Sequence, residues 1–140
     1  MKRLVSRALF LSLLPLAVAS QGCSTYSYFD IDMKLGVDFN IVAIGRINSC
    51  HMFVTGAATD DFTLSYSACH TIDTAARDIG KIQYSTLADS GNLTFTLVLF
   101  ERMESEACKL GTGAVTLGID SGKTVAGTLT VPTLEAGCPQ

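Results

Sequence analysis

His51 and His70 are the only histidines in the chain, and each directly follows a cysteine. Thiolate and imidazole together suit zinc or copper, so Cys50-His51 and Cys69-His70 raise a metal site. On a strand, however, adjacent side chains point to opposite faces, which keeps Cys50 and His51 from sharing one ion. In an oxidising compartment the two cysteines bridge instead. The expectation is a Cys50–Cys69 disulfide flanked by two surface histidines, with no metal.

Other groups with chemical potential are read as structural. Asp30 with Asp32, and Asp60 with Asp61, offer oxygen ligands for calcium, but neither pair sits in an EF-hand loop, and turn or cap roles suffice. Glu101, Glu104 and Glu106 cluster beside Cys108 and read as a solvated loop. No serine lies in a nucleophile-elbow motif. Gly111-Thr112-Gly113 lacks the lysine and following helix of a phosphate loop. The chain is therefore expected to be no enzyme, with no catalytic residues and no cofactor.

The elements that carry these residues are strands. Leu93 to Phe100 is the clearest: Leu93, Phe95, Leu97 and Leu99 share one face, while Thr94, Thr96, Val98 and Phe100 share the other. Both faces turn apolar towards its end, as expected of a strand in the middle of a sandwich. His51 to Thr55 and Phe62 to Tyr66 form a hairpin across 56–61, with partner numbers summing to about 117. Ala114 to Ile119 and Thr124 to Val131 flank the turn Asp120-Ser121-Gly122-Lys123, with sums near 243. Ile31 to Ile47 supplies one or two further strands. Thr71 to Asp78 is the one stretch that looks helical. "IGRI" at 44–47 returns as "IGKI" at 79–82, and "FTL" at 62–64 returns at 95–97. Two strands with the same alternation explain these echoes better than a repeat does.

The hairpins place the cysteines. Cys50 and Cys69 sum to 119, just beyond the open end of the first hairpin. Cys108 and Cys138 sum to 246, close to the second. Both pairs fall within reach of a bridge, whose α-carbons must come within about 7 Å. Cys50–Cys69 and Cys108–Cys138 are the expected disulfides, and Cys23 is left over from a total of five cysteines. The fold class is all-β: an antiparallel sandwich, loosely immunoglobulin-like, with at most one short helix, occupying residues 31–140.

Composition agrees. Hydrophobic residues make up 48% and charged residues 16%, enough apolar material for one core. Three of the ten basic residues lie within the first seven positions. The remainder is acidic and has no basic patch, which argues against nucleic acid as a partner. Met1 to Arg7 is followed by an apolar run from Ala8 to Ala19, the plan of a secretory signal peptide and too short to span a bilayer stably.

Two cleavage points compete. Ala17-Val18-Ala19 offers the small residues of an ordinary signal-peptidase site. Ala19-Ser20-Gln21-Gly22-Cys23 resembles the lipobox of bacterial lipoproteins of the Gram-negative type. Ser20 departs from the leucine usual there, while Gly22, Cys23 and Ser24 are typical. The resemblance covers only these positions. It implies a signal peptide of residues 1–22, cleavage before Cys23, a diacylglyceryl group on its sulfur and an acyl chain on its new amine. Ser24 in place of aspartate resembles the signal for the outer membrane. On that reading 23–30 is a tether, and the chain is a membrane-anchored envelope protein with a structural or partner-binding domain. Cleavage after Ala19 instead gives a soluble secreted protein, effector- or toxin-like, in which the sequon Asn92-Leu93-Thr94 accepts sugar if the source is eukaryotic. A periplasmic metal-binding protein using the Cys-His pairs is the third reading.

Overall fold

The computed structural model describes residues 25–65, 69, 73, 75–102 and 105–139. Two sheets face each other. The three-stranded sheet has the order β4-β1-β7, built from Ser27–Leu35 (β1), Asp78–Thr86 (β4) and Thr124–Val131 (β7). The four-stranded sheet has the order β3-β2-β5-β6, built from Ser49–Gly56 (β2), Asp60–Thr63 (β3), Asn92–Phe100 (β5) and Lys109–Gly118 (β6). The all-β sandwich expected from the alternation is the observed architecture.

Period-two alternation builds the core. Phe29, Ile31, Met33 and Leu35 point inward from β1, and Leu93, Phe95, Leu97 and Leu99 from β5; Cys50, Met52 and Val54 of β2 and Leu129 and Val131 of β7 join them. Aromatic rings link the two layers. Phe95 meets Phe29 at 5.4 Å between centroids and Tyr84 at 5.5 Å, and Phe62 stacks on Tyr84 at 6.4 Å. Strand β5 lies inside its sheet, between β2 and β6.

Several expectations change. The sandwich is not wholly antiparallel: β1 pairs antiparallel with β4 but parallel with β7, from Tyr28↔Thr124 to Leu35↔Val131. Strand β1 begins at Ser27, inside the stretch read as tether, because Tyr28, Asp30 and Asp32 occupy its outer face and obscure the alternation. An α-helix not expected from the pattern is Ile41–Gly45 (α1). Asn40 caps it by accepting a hydrogen bond from the Ala43 amide at 2.9 Å, which overrides the strand preference of the run Ile41-Val42. Of the stretch expected to be helical, residues 71, 72 and 74 lie outside the described residues, 75–77 form a turn, and Asp78 opens β4. The first echo also dissolves, since 44–47 straddles the end of α1 whereas 79–82 lies in β4.

The two hairpins differ from their sequence reading as well. Strands β2 and β3 pair His51↔Thr63 through Val54↔Asp60, three residues tighter than expected, and β3 ends at Thr63. Strands β6 and β7 flank their turn but join different sheets. They still pass very close, because Gly113 lies against the Thr130 carbonyl and Gly127 against Leu117; a β-carbon at position 113 would collide with that carbonyl.

Both disulfides are present, Cys50–Cys69 and Cys108–Cys138. Neither is set by a strand ladder. The Leu64 amide already donates to Cys50 O at 2.9 Å, and the Cys69 amide donates to Ser65 O at 3.2 Å, which keeps Cys69 near the end of β3 and beside Cys50. In the second bridge the tail after β7 runs antiparallel to the start of β6. Glu135 and Gly137 amides donate to Leu110 O at 2.7 Å and Lys109 O at 3.1 Å, which aligns Cys138 with Cys108.

Candidate functional site

The two ends of the sandwich are unlike. At one end lie the N-terminal approach to β1 and the turns 57–59, 87–91 and 119–123. At the other lie α1, both disulfides and the C-terminal tail. This second, distal end holds the residues with chemical potential.

A carboxylate organises it. Arg46, which follows α1, donates through Nε to Glu101 Oε1 at 3.1 Å and through Nη2 to Glu101 Oε2 at 2.9 Å. The same Nη2 reaches the Ala136 carbonyl at 2.8 Å, and the Cys138 amide donates to Glu101 Oε2 at 2.8 Å. The fork-to-fork pair thus ties the helix, the end of β5 and the tail together. Glu101 is therefore not part of a solvated loop, as its sequence neighbourhood suggested. Glu104 lies outside the described residues, and Glu106 sits in a short 3₁₀ turn, Glu106–Cys108.

The hydrogen bonds from Arg46 and then from the Cys138 amide hold the Glu101 carboxyl down at about 2, from an ordinary 4.5. A depressed carboxyl stabilises the fold fully above its unfolded value and loses that contribution as pH falls through its folded value. Stability is accordingly expected to decline between about pH 4.5 and about pH 2. Glu101→Gln is expected to flatten this part of the profile, which urea midpoints measured across that range will show.

Beside this Arg46–Glu101 lock, an open cleft of about 250 Å³ is lined by His51, Phe53, Asp61, Phe100 and Glu106. Alternation along β2 sends Cys50 into the core and His51 and Phe53 outward, so these two rings lie 4.6 Å apart. Pairing with β3 supplies their neighbours. His51 Nδ1 lies 3.1 Å from Thr63 Oγ1, and Nε2 lies 3.6 Å from Asp61 Oδ2. Phe100 comes from the end of β5 and is buried, while Phe53 is 39% exposed. Glu106 is held by the turn whose last residue, Cys108, is bridged to the tail. The exposed Phe53 ring, with Asp61 and Glu106 lining the same cleft, suits a positively charged or amphipathic group.

The expected site residues are distributed as follows. Cys50, Cys69, Cys108 and Cys138 are brought together in pairs; Cys23 and His70 lie outside the described residues. Bridging removes Cys50 and Cys69 as thiolate ligands. Among the described residues, no three metal-binding side chains converge. Asp30 and Asp32 lie on the outer face of β1, where Asp32 pairs with Lys81 at 3.3 Å, and Asp61 belongs to His51 rather than to a calcium loop. Asn92 is exposed at the start of β5. Sequence reading missed the roles of Arg46 and Phe53; the one local signal for Arg46 was its position just after the capped helix.

A further apolar feature completes this end. Ile41 and Val42 are 72% and 71% exposed, because α1 turns only Ala43 and Ile44 inward, and Val37 in the turn before it is 78% exposed. Comparison with protein-family models, curated proteins and solved structures finds no match for this chain.

Proposed function

We propose that the protein is an exported lipoprotein, anchored in an envelope membrane through acyl chains on Cys23, whose disulfide-stapled β-sandwich binds a partner at its distal end. The observation that carries the reading is the cysteine pairing. Four cysteines are bonded to one another, which leaves Cys23 as the odd one in an exported chain, and it is the cysteine of the lipobox-like sequence. Disulfides of this kind persist in oxidising compartments. More than one acyl chain makes anchoring stable, since a single chain binds only marginally. The exposed Val37, Ile41 and Val42 and the cleft at His51 and Phe53 supply contact surface for a partner, and apolar groups exposed together at one end support that role.

Intact mass of the natively processed protein tests the anchor. The expected chain begins at Cys23 and carries the added mass of a diacylglyceryl group and an amide-linked acyl chain. Cys23→Ser is expected to move the protein wholly from the membrane pellet to the soluble fraction. A chain beginning at Ser20 with no lipid would favour the soluble secreted protein instead.

A further inference from the structure

We infer that the N-terminal end of the sandwich seats directly on the lipid surface, with Tyr26, Tyr28 and Leu87 in the headgroup region. The inference rests on acylation of Cys23 and adds what the folded domain itself contacts.

Reach is the first argument. Only two residue steps separate Cys23 from Thr25, at most about 7 Å of extended chain. Thr25 is already part of the folded end: its Cγ2 lies 3.1 Å from where a β-carbon on Gly122 would stand. The Tyr28 amide donates to the Lys123 carbonyl at 3.0 Å, which fixes the following strand to the same turn. A lipid on Cys23 therefore leaves no room for a tether that would lift the domain off the bilayer.

Chemistry is the second. Tyr26 and Tyr28 are each 48% exposed and lie 6.4 Å apart on the outer face. The β1–β4 ladder ends at Ser27↔Thr86, so Tyr26 and Leu87, 53% exposed, are the next residues of the two strands at that end. The Ser27 hydroxyl donates to the Ala88 carbonyl at 3.4 Å and holds that turn in place. Tyrosine, with an apolar ring and a polar tip, favours the membrane interface, and leucine adds apolar area.

Charge then selects the kind of surface. The charged groups at this end are Asp60, Asp89, Asp120 and Lys123, and Lys123 donates to Asp120 at 2.9 Å. With no basic cluster, the seat does not depend on anionic lipid. The distal Val37, Ile41 and Val42 stand about 30 Å away, the length of a nine-residue strand, and stay in water.

The chain contains no tryptophan, so single reporters are readable. Tyr26→Trp, Leu87→Trp and Val42→Trp would each be made in the full chain, natively processed and reconstituted into phosphatidylcholine vesicles containing brominated lipids. Intact mass of each sample reports acylation. The expected result is that Tyr26→Trp and Leu87→Trp lose most of their emission to lipids brominated near the headgroup and little to lipids brominated at the chain ends. Val42→Trp keeps its emission, and added salt changes neither result. An acylated protein in which Tyr26→Trp and Leu87→Trp are unquenched, or in which Val42→Trp is quenched instead, would overturn the seat while leaving the anchor standing. A protein without acyl mass would overturn the anchor, and the seat with it.

Discussion

Removing both disulfides, as Cys50→Ala/Cys69→Ala combined with Cys108→Ala/Cys138→Ala, is expected to leave the domain largely unfolded in buffer. The bridges close loops with sequence separations of 19 and 30. On the chain-entropy account, loops of these lengths are each worth about 3–4 kcal/mol, so losing both costs about 7 kcal/mol. Net stabilities of single domains are only about 5–15 kcal/mol. Denaturant titration of each double variant, and of the protein with and without reductant, measures the loss. The two bridges should also differ in kind. Cys50 and Cys69 are buried in the core, so their loss loosens the joint between β2 and the segment after β3. Cys138 donates its amide to Glu101, so losing the second bridge frees the tail and removes one of the three hydrogen bonds that depress the Glu101 carboxyl. The acid profile of the Cys108→Ala/Cys138→Ala variant is therefore expected to shift towards that of Glu101→Gln. The Cys50→Ala/Cys69→Ala variant is expected to keep the original profile.

Phe95→Ala is expected to be the most damaging single substitution in the core, costing about 3–5 kcal/mol. Phe95 is fully buried at the middle of β5, and its ring meets Phe29 and Tyr84 across the gap between the sheets. Truncation removes apolar burial and opens a cavity that β-strands fixed by ladders on both sides cannot close. Thr96→Ala, on the outer face of the same strand, serves as the control and should stay within about 0.5 kcal/mol of the parent. Urea midpoints of the two variants, with unchanged slopes, provide the comparison.

The contrast between Phe95 and Thr96 is legible in the amino-acid sequence itself. Alternation along β5 assigns inner and outer faces residue by residue, because the pleat of a strand is local. Strand β1 is half legible for the same reason: Ile31, Met33 and Leu35 alternate, but Tyr28 and Asp30 disguise its start. Helix α1 escapes the pattern because Ile41-Val42 carries strand preference, whereas Asn40 as a cap decides the conformation. The lock at Glu101 is not legible. Its partners Arg46 and Cys138 lie 55 residues before and 37 after it, and no local pattern records such distances. The cleft is half legible, since His51 stands out but Phe53 and Asp61 join it only through strand pairing.

From the amino-acid order alone come the apolar faces, the all-β class and the cysteine pairing. These rest on period-two alternation, turn chemistry and parity, which act over short stretches or by simple counting. Tertiary structure alone decided that β1 runs parallel to β7, that β6 and β7 separate into different sheets, and that the distal end gathers Arg46, Glu101, His51 and the tail. Strand direction and sheet membership leave the same alternating side chains facing inward whichever way they are chosen. They are selected by how the whole chain closes its two layers, through close approaches such as Gly113 against Thr130 that have meaning only once both strands are in place.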